Sequence, residues 1–434
     1  MLGGRRARVI AIALFVVVAV ASALGYRHFY PPTRFDPESL TAYYTALRKP
    51  ASSAVDDAAV RAAAAAATDY IRRANDHTGQ FQYTVNSDPT VPVKRDYSIL
   101  RHQGTVYSLG MVDDMFPDPN NVEVMRRAIG FMRDCCYVRD VAGREMIAID
   151  EPDFIARGEL GYYKLGGAGL GLLALTALER KSPGAVPYDE MREVSRFGEY
   201  LQTRSGAFYS LYSKSSQKRM ALEKSLYYPG EMAMGWIALF ELYPEDRAPF
   251  DSALSALAYL ASTRARSGEA PADHWALLAT ARLFRAAEKA NIEIPKEALI
   301  NHALQICHTI LEEARQPQPI QEMEGSLAPM GAVTPTATRL EGMLAALTFL
   351  PPEHPIVPHV HAAIDRGIDF LVRAQIKEGT YAGGLPMSIS RLPNDGNPKT
   401  IKFNARATEI RIDYVQHSLS AMVQYLARNR SSFH

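Results

Sequence analysis

Cysteine is scarce, and the scarcity excludes two classes at once. The chain of 434 residues has three. Cys135 and Cys136 are neighbours, where a mutual bridge would be strained, and Cys307 is distant. There is no disulfide framework and no metal-ligand spacing. The expectation is three buried thiols, no metal and no cofactor. A surplus of either charge is missing too. Lys+Arg 48 against Asp+Glu 47 leaves a net charge of +1, so nothing points to a nucleic-acid partner or an acidic tail. Strand alternation is absent from about residue 55 onward. Long uncharged runs are also lacking, with one exception at the N-terminus.

That exception is VIAIALFVVVAVASALGY, preceded by Arg5, Arg6 and Arg8. The positive flank keeps the N-terminus in the cytoplasm and sends the following chain across the membrane. The apolar core is short for a spanning helix and long for a signal peptide. Ala21-Ser22-Ala23 offers a small-x-small cleavage site, whereas Arg27 and His28 beyond the run favour an uncleaved anchor. The expected layout is a signal anchor or signal peptide over 1–30, a linker over 31–54 and one domain over 55–434, outside the cytoplasm.

Within that domain two kinds of helix alternate. Amphipathic, charged segments such as NVEVMRRAIGFMRDCCY and HVHAAIDRGIDFLVRAQ have a wet face. Segments such as KLGGAGLGLLALTAL are apolar nearly all round and must be enclosed. Six such pairs follow one another. Three of the amphipathic members end in a matching phrase, TGQFQY, SGAFYS and EGTYAG, a glycine suited to a helix end followed by an aromatic that packs back. One unit has been repeated, and six hairpins with enclosed inner and amphipathic outer helices close into an all-α (α/α)6 barrel. This pattern resembles the six-hairpin glycosidase superfamily over nearly the whole domain, with architectural similarity to the N-acylglucosamine 2-epimerases.

In such a ring the inner helices run the same way, so their N-termini gather at one end. The connections entering that end are long (77–96, 137–163, 205–225 and 376–410), while FPDPN, KSPGAVP and LPPEHP at the other end are short turns. Long loops carry function. The inner helices open with Tyr97, Arg101 and His102; Lys164; Tyr228 and Glu231; Asp273, His274 and Trp275; Arg339 and Glu341; Arg411, Asp413 and His417. Carboxylates supply general acid and base, aromatics stack on sugar faces, and charged groups clamp hydroxyls or uronate carboxyls. Glu231 and Asp413 are the expected catalytic pair and the others the expected binding residues. Each also has a plainer role: Asp273 and Glu231 suit helix N-termini, the histidines suit satisfied core positions, and Asp113-Asp114 fall at the far end.

The phrase YYPGEMAMGW resembles inner-helix phrases of both six-hairpin glycosidases and sugar epimerases. In the epimerases the residue at Glu231 is usually histidine, and RHQGT at 101–105 is an arginine-histidine pair opening an inner helix. The resemblance implies an enzyme acting on a polysaccharide or oligosaccharide, with hydrolysis as the first expectation. Uronic-acid epimerisation or β-elimination is the second. A non-catalytic glycan-binding or scaffold subunit of envelope polysaccharide machinery is the third.

Overall fold

The computed structural model describes residues 37–51, 55–93, 96–152, 161–220 and 225–428. The segment read as an anchor lies outside these residues, and among them no helix is long and apolar enough to cross a membrane.

The six expected hairpins are all present. Outer helices α2 (Asp57–Ala74), α4 (Pro119–Cys135), α6 (Tyr188–Leu201), α8 (Ala248–Ser267), α10 (Lys296–Ala314) and α12 (Val357–Ala374) alternate with inner helices α3 (Ile99–Met115), α5 (Leu165–Lys181), α7 (Tyr228–Leu242), α9 (His274–Lys289), α11 (Val333–Ala346) and α14 (Ile412–Ala427). Each inner helix packs on the next, and α14 returns to α3, so the ring is closed. Closure explains the composition. Along α5, Leu165 to Thr176 are buried without interruption, because neighbours flank an inner helix on both sides and an outer helix covers its back. Small residues set the spacing: a Cβ at Gly169 would lie 2.7 Å from the Glu231 carbonyl carbon, and one at Gly235 would lie 2.7 Å from the Gly169 carbonyl oxygen.

Two helices fall outside the hairpin pattern. Helix α1 (Pro37–Ala46) lies in the stretch expected to be linker. It rests on α10, where Tyr44 Oη meets His308 Nδ1 at 3.1 Å and the Tyr43 hydroxyl donates to Glu312 at 3.2 Å. Helix α13 (Pro398–Ala407) sits inside the last long loop. Among the described residues the long loops also carry seven strands of two or three residues, too short to show alternation in sequence. One pairing matters for the site. Strand β1 (Thr84–Asn86) pairs antiparallel with β7 (Glu409–Arg411), placing Thr84 opposite Arg411. The first and last loops are thereby joined across the seam of the ring, and Arg411 is held at the mouth of α14.

The repeated glycine phrases have a role different from the one expected. The outer helices stop at Ala74 and Leu201, before the glycines. Gly79 and Gly206 instead form a turn that returns the chain, with bridges Asn75–Phe81 and Gln202–Phe208. Both have φ near +90° (88° and 87°), and a Cβ would lie 2.0 Å from the Arg127 carbonyl oxygen or 2.2 Å from that of Ser255. In the third copy this close seating belongs to Gly383, against Ala66, rather than Gly379. Because backbone, not a flexible side chain, blocks the site, Gly206→Ala is expected to destabilise the fold by about 2–4 kcal/mol. Chemical denaturation checks this, with Gly184→Ala, open around its Cβ position but also at positive φ, as the strain-only control.

The cysteines are all free, as expected, but Cys135 is exposed while Cys136 and Cys307 are buried.

Candidate active site

The N-terminal end of the inner ring divides the expected residues into two groups. Arg101, Glu231, His274, Glu341, Arg411, Asp413 and His417 form one electrostatically connected cluster, in which each carboxylate or imidazole responds to charges carried by other inner helices.

Asp413 lies in the first turn of α14 and is clamped. Arg411 donates Nε to Oδ1 at 2.9 Å and Nη2 to Oδ2 at 2.8 Å, and Arg101 Nε adds a contact to Oδ2 at 3.3 Å. Burial alone would raise its pKa, but the Arg411 guanidinium and then Arg101 outweigh this and hold it below the usual carboxylate value. Side-chain exposure falls from 41% at Arg101 to 22% at Arg411 and 5% at Asp413. The arginines therefore form the lip and the acid lies beneath them.

Glu231 has the opposite environment. Its side chain is buried and Oε2 is enclosed with no hydrogen-bond partner among the described residues. Burial pushes its pKa up to about 8, with Arg101 partly offsetting and Asp273 adding to the rise. Gly166, in the first turn of α5, makes room for it: a Cβ there would sit 2.4 Å from Oε2 and 2.5 Å from Cδ1 of Tyr228. Tyr228 thus shares the wall beside Glu231.

His274 and His417 face one another, ring centroids 5.7 Å apart and planes at 81°. Both ring nitrogens of His274 are buried without a hydrogen-bond partner among the described residues. Burial, then the charges of His417 and Arg339, push its pKa well below the usual value, so it is neutral. His417 Nδ1 donates to Glu341 Oε2 at 2.8 Å. Burial would lower His417, but the Glu341 carboxylate, with Asp413 beyond it, raises it. Burial also raises Glu341. Burial thus favours the neutral form of His274, while Glu341 favours the cationic form of His417.

His274, Glu341 and His417 also bring three potential metal ligands within 4.8 Å of one another, a grouping that no sequence spacing revealed. Ligands around a tetrahedral zinc stand about 3.4 Å apart, and Glu341 is already engaged by His417, so an acid–base cluster describes these three better than a metal site.

The second group of expected residues is turned away from the axis. The Tyr97 hydroxyl donates to His102 Nδ1 at 2.8 Å, and His102 Nε2 donates to the Ala128 carbonyl at 2.9 Å. Phe81 and Phe131 flank this imidazole, and burial lowers its pKa to about 4. Tyr97 and His102 therefore tie α3 to α4 and do not bind at the axis. Asp273 caps α9, accepting from the Ala276 N–H at 3.1 Å, and takes Arg264 at 2.6 Å, which reaches His302 at 2.9 Å. Arg339 turns to α10, with Nε on Glu313 at 3.1 Å. Lys164 holds Glu151 at 3.1 Å, and Glu151 accepts the Ile99 N–H at 2.7 Å. Trp275 is buried, with Gly230 against its backbone and Tyr107 at 6.5 Å between centroids. It is a packing residue rather than an open platform. Asp113 and Asp114 lie at the far end as expected, paired with Lys181.

Asp273→Ala is expected to cost about 3–5 kcal/mol, because it strands the buried Arg264 charge. Thermal denaturation checks it, and Arg264→Met together with Asp273→Ala should recover part of the loss.

No family model matches the chain, and no curated protein is similar to it in sequence. Solved structures are similar in fold. A sugar epimerase from a ruminal bacterium superposes with TM-score 0.60 at 11% identity, covering 86% of this chain and 99% of that one. Cellobiose 2-epimerase from Bacillus thermoamylovorans gives 0.58 at 12%, over 83% and 95%. A variant of unsaturated glucuronyl hydrolase from Streptococcus agalactiae gives 0.52 at 11%, over 91% and 97%. The fold of this chain is the (α/α)6 toroid shared by six-hairpin glycosidases and the sugar 2-epimerases.

Proposed function

We propose that the chain is a carbohydrate-active enzyme that moves a proton at the carbon beside a sugar carbonyl, as an epimerase or aldose–ketose isomerase of a saccharide. The carrying observation is the facing pair of imidazoles, His274 enclosed with no hydrogen-bond partner among the described residues and His417 hydrogen-bonded to Glu341. Neutral His274, with both nitrogens unpartnered, takes the proton from carbon. The C–H electron pair forms the enediol double bond as the carbonyl π electrons move onto oxygen. Arg101 at the lip and protonated Glu231 are placed to stabilise that oxygen. Cationic His417 returns a proton to carbon, and Glu341 orients it. Arg411 and Asp413 hold Arg101 in place. The similarity in fold to proteins described as sugar epimerases supports the reading.

Hydrolysis of a glycosidic bond is the second reading. Glu231 favours it, since a buried carboxyl with a pKa near 8 keeps its proton for a leaving group, and one structural neighbour is described as a glucuronyl hydrolase. Against it, Asp413 has both oxygens engaged by arginines, which suits an orienting group better than a base that must accept a proton from water.

Incubation in D2O with reducing mono- and disaccharides, followed by NMR, separates the two. Deuterium entering at the carbon beside the carbonyl, without bond cleavage, is the expected result. Cleavage without exchange selects hydrolysis. The proposal keeps the enzyme outside the cytoplasm on an uncleaved N-terminal anchor, from the charged flank and apolar run of residues 1–30; fractionation of cells expressing the full chain tests this.

A further inference from the structure

One cavity in the described residues lies apart from the acid–base cluster. It occupies about 1170 Å³ at the opposite end of the ring, where the inner helices terminate. That end would be expected only to turn the chain. Six arginine and lysine side chains line it against three carboxylates. Its walls include Leu173, Met234, Leu278 and Leu344, and Tyr107 lies in its lining, with a hydroxyl that has no hydrogen-bond partner among the described residues.

The pairing of these charges leaves a remainder. Arg282 forks onto Glu241, with Nε to Oε1 at 2.9 Å and Nη2 to Oε2 at 2.5 Å. Arg180 reaches the same Oε2 at 3.4 Å, too long to share it fully. Lys181 is spent on Asp113 and Asp114, and Arg428 on Asp57. Arg285 makes no hydrogen bond or ion pair among the described residues, although it is only half-exposed and stands beside Arg282. Three guanidinium groups thus converge on one carboxylate.

Compensation of helix ends accounts for Arg180, which with Lys181 lies in the last turn of α5, but not for the other two. A basic residue in the last turn offsets the negative end of a helix, and in α9 that residue is Lys289; Arg282 and Arg285 come earlier. Nor does stability require them, since a single Arg282–Glu241 fork would satisfy Glu241. Burial first, and then the Arg282 charge, holds both Arg180 and Arg285 below the ordinary arginine value. Like charges gathered in a partly dry cavity are unfavourable until an anion joins them.

We propose that this far mouth is a second ligand site, for an organic anion whose phosphate or carboxylate head engages Arg180 and Arg285 while its apolar body lies along Leu173, Met234 and Leu278. The volume, somewhat above the usual range of small-molecule sites, admits such an amphiphile. The site is physically separate from the imidazole pair, with Tyr107 and Trp275 packed between them, so it stands or falls independently of the proposed reaction.

Isothermal titration calorimetry of the full chain tests it with octyl phosphate and octanoate, which distinguish the two heads, and with inorganic phosphate and octyl glucoside as the head-only and uncharged arms. At least one of the amphiphilic anions is expected to bind more tightly than both control arms, and Arg180→Ala with Arg285→Ala to weaken it about 10- to 100-fold. Without ligand the double variant should melt at the same temperature as the parent or higher, since it relieves repulsion. Equal binding of octyl phosphate and octyl glucoside overturns the proposal. So does an unchanged affinity in the double variant, or a lowered melting temperature in a chain that binds none of the probes.

Discussion

His274→Asn should lower turnover about 10²- to 10⁴-fold, the usual contribution of a positioned acid or base, with the melting temperature little changed. The asparagine keeps a polar group of similar reach and gives up the ability to take a proton. His417→Asn should cost a similar amount, and the double variant little more, because the two act in one transfer. Steady-state rates on whichever sugar shows deuterium exchange provide the check. The same pair sets the pH profile. His274 is neutral well below its usual pKa, so the acidic limb lies low. His417 is raised by Glu341, so activity should fall only as pH climbs through that raised value. Glu341→Gln removes the carboxylate that raises it, and the alkaline limb should move to lower pH while KM changes little. An unmoved alkaline limb would falsify the assignment of His417 as the acid.

The second large effect is on stability. The Glu231 pKa rises from an ordinary 4.5 to about 8 on folding, so between those values the unfolded chain gives up a proton that the folded chain keeps. The folded state binds more protons there, and stability declines as pH rises through that window. At 1.36 kcal/mol per unit the decline sums to on the order of 4 kcal/mol by pH 8 and is absent below pH 4.5. Glu231→Gln removes the titration. The variant should match the parent near pH 4.5 and exceed it by several kcal/mol near pH 8, as read from denaturant midpoints. A parallel pH dependence in parent and variant would show that Glu231 is ionised in the fold. The same substitution separates the two reactions. An amide still donates a hydrogen bond to a sugar oxygen, so proton transfer should survive to within about tenfold, whereas hydrolysis with Glu231 as the acid would lose about 10²-fold or more.

Much of the architecture was legible because its signals are local. The contrast between NVEVMRRAIGFMRDCCY and KLGGAGLGLLALTAL reports whether a helix has a wet face, and six repeats of that contrast imply closure. The end of the ring where polar side chains cluster was legible too, since loop length and the polar first turns agree. What escaped were features with no local periodicity: strands of two or three residues, helix α1 in an apparent linker, and the return turn at Gly79, whose reason is a carbonyl on another helix. Nothing near Gly166 in sequence says that it makes room for Glu231.

The residues of the site were legible as a set but not in their roles. An α-helix turns about 100° per residue, so neighbours in a first turn point in different directions. Asp273 and His274 are adjacent, yet one faces Arg264 and the outer ring while the other meets His417 on the axis. Arg339 and Glu341, two residues apart, divide in the same way. By itself the sequence determined the toroid, its polarity and the list of polar residues at one mouth, because burial pattern and loop length are properties of a segment. Tertiary structure alone decided which of them meet, which carboxylate keeps its proton, and that a cationic cavity opens at the other end. Those depend on how far each inner helix is rotated about its own axis, and the packing of the ring sets that rotation.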